Sequence, residues 1–317
     1  MNHVRDQVWH SPDLVEQIFS WLPPRSTLQF RRLAKRFNQY LTSPYFTRLN
    51  LTRCIERRCQ SFHPSTDNIL FWPDEAKYSS AFSQLFLFSL RELKATLEPV
   101  SPTWRLRIPK AIHHLHNLMH LDLNSSGLTG EIPIELCTLI QLEHLNLHNN
   151  ELTGPIPIEI GQLVQLKVLY LGLNAISGPI PSSVGNLTHL TILNLFDNQL
   201  EGNLPPELCN LSSLQCLHLQ NNRIHGPIPS EIGQLQNLHV LNLSKNRLCG
   251  EIPATLWNLT NLKTLSLAEN ELTGHVGGNG LTRLFRLRTI DLKGNRFDSV
   301  CVPGEFFNLE HLRWSHF

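Results

Sequence analysis

Residues 142–157 read LEHLNLHNNELTGPIP, and this stretch decides the fold. A strand sends alternate side chains to opposite faces, so Leu145 and Leu147 point one way while residues 144, 146 and 148 point the other, with Leu142 leading in. Asn150 ends the strand. Its carboxamide both donates and accepts, so a ladder of such side chains can satisfy turn backbone groups that burial would leave unpaired. Gly154 permits a tight bend, and Ile156-Pro157 starts a return whose apolar residues, Ile160, Leu163 and Leu166, follow the proline at +3, +6 and +9. Strand, turn and return make one coil.

The same wording recurs with its Asn at 150, 174, 198, 222, 246 and 270, a constant step of 24. Self-similarity at this period signals a solenoid of α/β class. A preceding copy, LMHLDLNSSGLTGEIP, has Ser126 in the Asn slot, and a following copy has Asn295, displaced by one residue inserted in GHVGGNG. Eight strands are expected. No coil can bury its leucines alone, so stability comes from stacking, each buried Leu or Ile contributing about 1.5 to 3 kcal/mol before entropy is subtracted. Eight strands about 4.8 Å apart give a concave sheet roughly 35 to 40 Å long, sized for a protein partner. At the front, Ile108-Pro109 with Ile112, Leu115 and Leu118 forms a convex half-coil with no recognisable strand before it, so residues 61–107 are expected to cap the stack. At the back, Pro303 is followed by Phe306, Leu309 and Leu312, and Ser315 stands where a strand should begin. The pattern therefore predicts a convex end covered by Trp314.

The chain has 317 residues, 41% of them hydrophobic, enough to bury a core without staples. Its net charge of +1 is split, because residues 1–60 hold ten Lys/Arg against four Asp/Glu and the remainder is acidic. No apolar run is long enough to span a bilayer and MNHVRDQVWHSPD has no signal-peptide core, which implies a cytoplasmic or nuclear chain. The seven cysteines form no C-x-x-C pair, so neither a disulfide framework nor a zinc site is indicated, and they read as free thiols.

The repeat resembles the plant-type subfamily of leucine-rich repeats, marked by L-x-G-x-I-P, over residues 105–314. That resemblance implies a horseshoe of about eight repeats. Many such domains are receptor ectodomains or secreted inhibitors, with a signal peptide and paired cysteine caps that this sequence does not show.

Residues 11–50 read SPDLVEQIFSWLPPRSTLQFRRLAKRFNQYLTSPYFTRLN. Leu14, Val15, Ile18, Phe19 and Leu22 fall on one helical face, with Pro12 near the helix start and Ser11 as its cap; Pro23-Pro24 ends it. Ser26 can cap a second helix carrying Leu28, Phe30 and Leu33, and Phe37, Tyr40 and Leu41 continue into a third. Three short helices cannot bury these faces among themselves, so a partner is expected. Pro12, Leu14, Ile18, Leu22-Pro23, Leu28, Leu33, Lys35-Arg36 and Phe37 resemble an F-box in order and spacing, with Ser11 and Phe37 replacing the commoner Leu and Trp. The resemblance implies docking to the Skp adaptor of a cullin-RING ubiquitin ligase through Pro12, Leu14, Ile18, Leu22, Pro23, Leu28, Leu33 and Phe37. Without a partner, the same segment reads as a helical cap on the solenoid. The domains are then an F-box-like helical domain at 9–50, a linker and cap at 51–104, and the repeats at 105–317.

The residues flanking each inward leucine should line the concave face. One column holds Asp122, Asn146, Tyr170, Asn194, His218, Asn242, Ser266 and Asp291; its neighbour holds Asn124, His148, Gly172, Phe196, Gln220, Ser244, Ala268 and Lys293. Aromatic anchors dominate interface energetics, which singles out Tyr170 and Phe196 with Leu173 and Ile192, flanked by His148, Asn194, His218 and Gln220. Isolated exposed apolar side chains, however, are also normal on a surface.

Other signals are weaker. His113, His114, His116 and His120 cross from return to strand, where one tetrahedral metal geometry is hard to build. GGNG at 277–280 reads as a bulge, and no catalytic signature or cofactor motif is present. The sequons at Asn50, Asn124, Asn186, Asn210, Asn242 and Asn258 mostly follow from the repeat's own wording. The Arg/Lys cluster at 31–36 lacks interleaved aromatics and reads as a solvated face, not a nucleic-acid site. The expected function is a protein-binding, non-enzymatic subunit, monomeric within a ubiquitin-ligase complex and presenting an unknown protein on its concave face. The alternatives are a receptor-like or inhibitor-like repeat protein and a cytosolic scaffold.

Overall fold

The computed structural model describes residues 91–94, 107–108, 110–301 and 313–315. The helical segment expected at 9–50, with its adaptor-facing residues, lies outside them, as do the cysteines 54 and 59. Ten strands form one parallel sheet in chain order: Glu92–Lys94, His120–Asp122, His144–Asn146, Val168–Tyr170, Ile192–Asn194, Cys216–His218, Val240–Asn242, Thr264–Ser266, Thr289–Asp291 and Arg313–Ser315. Registers repeat with the sequence, so Leu145, Leu169, Leu193, Leu217, Leu241 and Leu265 stand side by side. In the eight strands from His120–Asp122 to Thr289–Asp291 the middle residue is buried and its neighbours are half-buried.

Two of these strands correct the reading from the repeat. Glu92–Lys94 pairs with His120–Asp122, so a strand does precede the first convex half-coil. Its Leu93 stands opposite Leu121, 28 residues on, which breaks the 24-residue step. At the other end Arg313–Ser315 pairs with Thr289–Asp291 and places Trp314 beside Ile290. The sheet therefore does not end on a convex segment. Slipping a strand by one residue exchanges its faces, and a start at Ser315 would have put serine nearer the register that leucine and isoleucine fill elsewhere.

The returns are 3-10 helices, five residues each at Ile134–Thr138, Ile158–Gln162, Ser182–Asn186, Pro206–Asn210, Ser230–Gln234 and Ala254–Asn258. The apolar spacing explains the choice. Residues at +3, +6 and +9 from a proline eclipse one another at three residues per turn, whereas an α-helix would fan them apart. Pro157, extended at φ −62°, sets the entry, and Ile160, Leu163 and Leu166 are all buried. The expected bulge at GGNG is corrected too: the extra residue lengthens the return to six, Gly278–Arg283.

A second row of short parallel strands was not visible in the repeat. It comprises Thr129–Gly130, Glu151–Gly154, Ala175–Pro179 and Gln199–Glu201 in one sheet, His225–Gly226, Arg247–Glu251 and Glu271–Thr273 in another, and the pair His275–Gly277 and Ser299–Cys301. Each lies between the Asn and the return, where Gly154 takes φ +73° to turn the chain.

The Asn ladder ties each coil to the one before. Asn150 Oδ1 accepts from the amides of Ser126 and Leu128, both at 3.0 Å, and its Nδ2 donates to Leu123 O at 2.9 Å and Leu147 O at 3.0 Å. Asn174, Asn198, Asn222, Asn246 and Asn270 repeat the pattern, and Asn295 keeps it despite its displacement. At Ser126 the hydroxyl donates to Asn124 O at 3.1 Å. Among the described residues no helix is long and apolar enough to cross a membrane.

Candidate binding surface

The concave face is built from the half-buried residues of the ten-stranded sheet and the turns that follow. In one column Asp122, Asn146, Asn194, Asn242 and Asp291 each turn Oδ1 back onto the backbone amide two residues on, at 3.1 to 3.4 Å. The acceptor oxygen of each is thereby used locally. The carboxamide nitrogens of Asn146, Asn194 and Asn242 are left as donors in this column, beside the hydroxyls of Tyr170 and Ser266.

Tyr170, Ile192, Asn194, Phe196, His148, His218 and Gln220 are all half-buried, and Leu173 is exposed. Tyr170 and Phe196 lie on neighbouring coils, but each is held by a different histidine. Tyr170 meets His144 edge-on, centroids 6.0 Å apart, and His144 lies 6.0 Å from His120. Phe196 meets His148 at 5.5 Å. These two rings are two coils apart in one column, and Gly172 lies between them. A methyl group on Gly172 would stand 2.9 Å from Phe196 Cδ1 and 2.8 Å from Asn194 Oδ1. The missing side chain is what lets the phenyl ring reach back to the imidazole. His144 was not singled out in the sequence, although it recurs 24 residues after His120 and precedes an inward leucine as His120 does.

Two buried polar atoms flank Phe196 without a hydrogen-bond partner, Nδ1 of His148 and Oε1 of Gln220. Burial holds the His218 imidazole below its ordinary value, so it is neutral at pH 7. The surface therefore joins two aromatic rings to unspent donors and acceptors and carries little charge. Two expected members fail: Ala268 and Gly172 are buried and expose no side chain on the face.

Leu173 marks the same place through its backbone. The turn residue after each strand from His120–Asp122 to Thr264–Ser266 is left-handed, and at Ser125, Asn149, Asp197, Asn221, Lys245 and Glu269 it is polar, whereas at Leu173 an exposed leucine holds φ +54°. Asn tolerates this conformation better than Leu. Leu173→Asn should therefore raise stability by about 0.5 to 1 kcal/mol, read as a higher guanidinium midpoint at unchanged slope. A lower midpoint would mean that Leu173 is held by packing and is not spare surface.

The histidine run has local uses. His113 Nδ1 donates to Lys110 O at 2.8 Å and His116 Nδ1 to His113 O at 3.1 Å, which turns these rings onto their own return. Among the described cysteines, Cys137 and Cys209 are buried, Cys216 is half-buried and Cys249 is exposed, all as free thiols. Burial, with Glu159 and Glu135 at Cys137 and Glu231 at Cys209, pushes the two buried thiols up to about 12, so they serve as small apolar fillers.

Comparison with known proteins matches residues 11–49 to the F-box domain and residues 117–139, 141–163, 165–187, 189–211, 213–235 and 237–259 to the Leucine Rich Repeat. The chain carries an F-box domain and leucine-rich repeats. Both are protein-interaction modules. No curated protein matches the chain. Among solved structures, it is similar to the leucine-rich-repeat ectodomain of the plant membrane receptor kinase GASSHO1/SCHENGEN3 from Arabidopsis thaliana, crystallised with CASPARIAN STRIP INTEGRITY FACTOR 2. Identity there is 35% over 72% of this chain and 27% of that one, with a TM-score of 0.65. The ectodomain of the Arabidopsis receptor kinase HAESA, in complex with an N-terminally extended IDA peptide hormone, is 28% identical over 73% of this chain and 42% of that one, TM-score 0.63. A TDR receptor is 28% identical over 75% and 44%, TM-score 0.62. The chain thus spans less than half the length of each of these proteins.

Proposed function

We propose that this chain is the substrate-recruiting subunit of a Skp-cullin-RING ubiquitin ligase. The observation that carries the reading is the F-box at residues 11–49 in one chain with a leucine-rich-repeat domain. The apolar residues Pro12, Leu14, Ile18, Leu22, Pro23, Leu28, Leu33 and Phe37 dock on the Skp adaptor. The concave face around His148, Tyr170, Leu173, Ile192, Asn194, Phe196, His218 and Gln220 holds the protein to be ubiquitylated. The chain itself performs no chemistry, needs no cofactor, and works in the cytoplasm or nucleus, where the ligase resides. Within this assignment residues 9–50 form the adaptor-binding domain, 51–104 the linker and front of the solenoid, and 105–317 the substrate-binding repeats.

Co-purification with the Skp adaptor tests the proposal, comparing the wild type with a Leu22→Asp, Pro23→Ala double variant whose fold is checked by circular dichroism. The expected result is a stable complex for the wild type and its loss in the folded variant, because a buried carboxylate without a partner cannot be accommodated in an apolar contact. A well-folded wild type that does not bind the adaptor would sink the ligase reading. The likeness to receptor ectodomains would then favour a second reading, in which the same concave face binds a peptide or protein ligand with no ligase attached.

A further inference from the structure

We infer that the flank formed by Lys263, Arg283, Phe285, Arg286 and Arg288 is a second docking surface, separate from the concave face, which receives an acidic protein segment carrying an apolar side chain. The three arginines and Phe285 are exposed and Lys263 is half-buried. Phe285, at 64% exposure, is the most exposed large apolar side chain among the described residues, and the Arg286 guanidinium lies 5.7 Å from its ring centroid.

Among the described residues Lys263 and Arg288 lack the carboxylate partner that their column supplies at its other end. Backbone hydrogen bonds from Lys263 N to His239 O and from Arg288 N to Lys263 O place His239, Lys263 and Arg288 in one column across three coils. At the other end of that column Lys167 Nζ and Glu143 Oε2 neutralise each other at 2.7 Å. Among the described residues none of Lys263, Arg283, Arg286 and Arg288 has a carboxylate partner; the Glu271 carboxylate is taken by Arg296 at 3.1 Å. Arg283 and Arg286 are instead anchored by neutral groups, each donating Nη1 at 2.9 Å to the side-chain oxygen of Asn258 and Asn261 respectively. These anchors hold the guanidinium groups in place without supplying a negative charge. His239 records the resulting field: besides burial, Lys263 and Arg286 disfavour its proton.

The layout selects the occupant. Asn258 and Asn261 sit three residues apart and each anchors one arginine, so the two guanidinium groups are presented in a row along the return. Such a row suits successive carboxylates along one segment, each able to form a bidentate pair with a guanidinium group. The basic stretch is two coils deep, for the preceding coil has Gln234, Asn237 and His239 at the matching positions. A nucleic acid would need cations following its phosphates over a longer track. Phe285 supplies the desolvated contact that charge alone does not, and thereby favours a peptide with an apolar residue among its acids.

Fluorescence anisotropy on the full chain tests this with a fluorescein-labelled peptide of Glu-Glu-Phe repeats. Binding at low salt should weaken about tenfold at physiological ionic strength. The Arg283→Gln, Arg286→Gln, Arg288→Gln triple variant should weaken it by at least about tenfold, with Phe285→Ser causing a smaller loss. None of the substituted side chains reaches the core, so circular dichroism should be unchanged. A Lys35→Gln, Arg36→Gln variant, which removes N-terminal cations instead, should bind as the wild type does. No binding, equal binding by the triple variant, or loss only in the N-terminal variant would overturn the inference. So would a preference of the arginine-dependent site for an oligonucleotide or a phosphatidylserine vesicle over the peptide, or arginine-dependent association of the chain with itself.

Discussion

Asn246→Ala is expected to lower the stability of the repeat domain by about 3 kcal/mol, although it removes only three heavy atoms. Asn246 is almost fully buried, and its Oδ1 is the acceptor for the amide of Ile224 at 3.0 Å. Its Nδ2 donates to Leu219 O at 2.9 Å and Leu243 O at 3.1 Å. Each of those carbonyls has a second donor in the ladder, Asn222 for Leu219 and Asn270 for Leu243, so alanine orphans one amide completely and weakens three acceptors, these two and Ser244 O, which Nδ2 reaches at 3.2 Å. The orphaned donor costs about 1 to 3 kcal/mol and each weakened acceptor about 1 more at most. Asn246→Asp should be worse than alanine at neutral pH, because a buried carboxylate would face carbonyl oxygens. Those oxygens and the burial raise the folded-state pKa of that aspartate above its unfolded value, so the aspartate variant should regain stability as pH falls through that raised pKa and lose it as pH rises. Guanidinium unfolding of the three proteins at several pH values, with hydrogen exchange at the Ile224 amide, reads both effects. An alanine variant as stable as wild type would mean that water replaces the ladder.

The ladder was legible because each Asn has a job that only a short carboxamide can do at that spacing. The inward leucines were legible because the strand and the return enforce different periods, two and three, within one 24-residue unit. What escaped reading was whatever breaks the period. Leu93 lies 28 residues from its partner Leu121, so no 24-residue template aligned them, and LRELKA keeps only L-x-x-L of the strand pattern, with Ala95 in place of its last leucine. Trp314 escaped because the return before it was counted by the regular spacing from Pro303, which points to Ser315. The second row of strands escaped because its residues, such as Glu151–Gly154, have one buried side chain and no alternation to announce them. For the concave surface, the column positions of Tyr170 and Phe196 followed from the strand period. Their partners did not, since the contact of Phe196 with His148 depends on Gly172 having no side chain in between. His144 and the left-handed Leu173 likewise gain meaning only once neighbouring coils are placed.

Leu217→Ala should cost about 3 to 5 kcal/mol, the range for emptying a site that cannot collapse. Leu217 is fully buried and stands in register between Leu193 and Leu241, with Leu214 and Leu219 of its own coil also closed to solvent. Backbone hydrogen bonds fix the spacing of the three coils, as from Leu195 N to His218 O at 2.8 Å and from Leu219 N to Asn242 O at 2.9 Å, so the neighbours cannot move in to fill the void. The same change at Leu287, in the last return that the structure describes, should cost less, because fewer stacked coils constrain it. In a stack where each coil contacts only its neighbours, the damage should stay local. Hydrogen exchange should therefore quicken in the strands Ile192–Asn194, Cys216–His218 and Val240–Asn242 and fade with distance towards His120–Asp122. Uniformly faster exchange along the whole sheet would show instead that the repeats unfold as one cooperative unit, and a substitution anywhere in the leucine stack would then weaken the concave face as much as one beneath it.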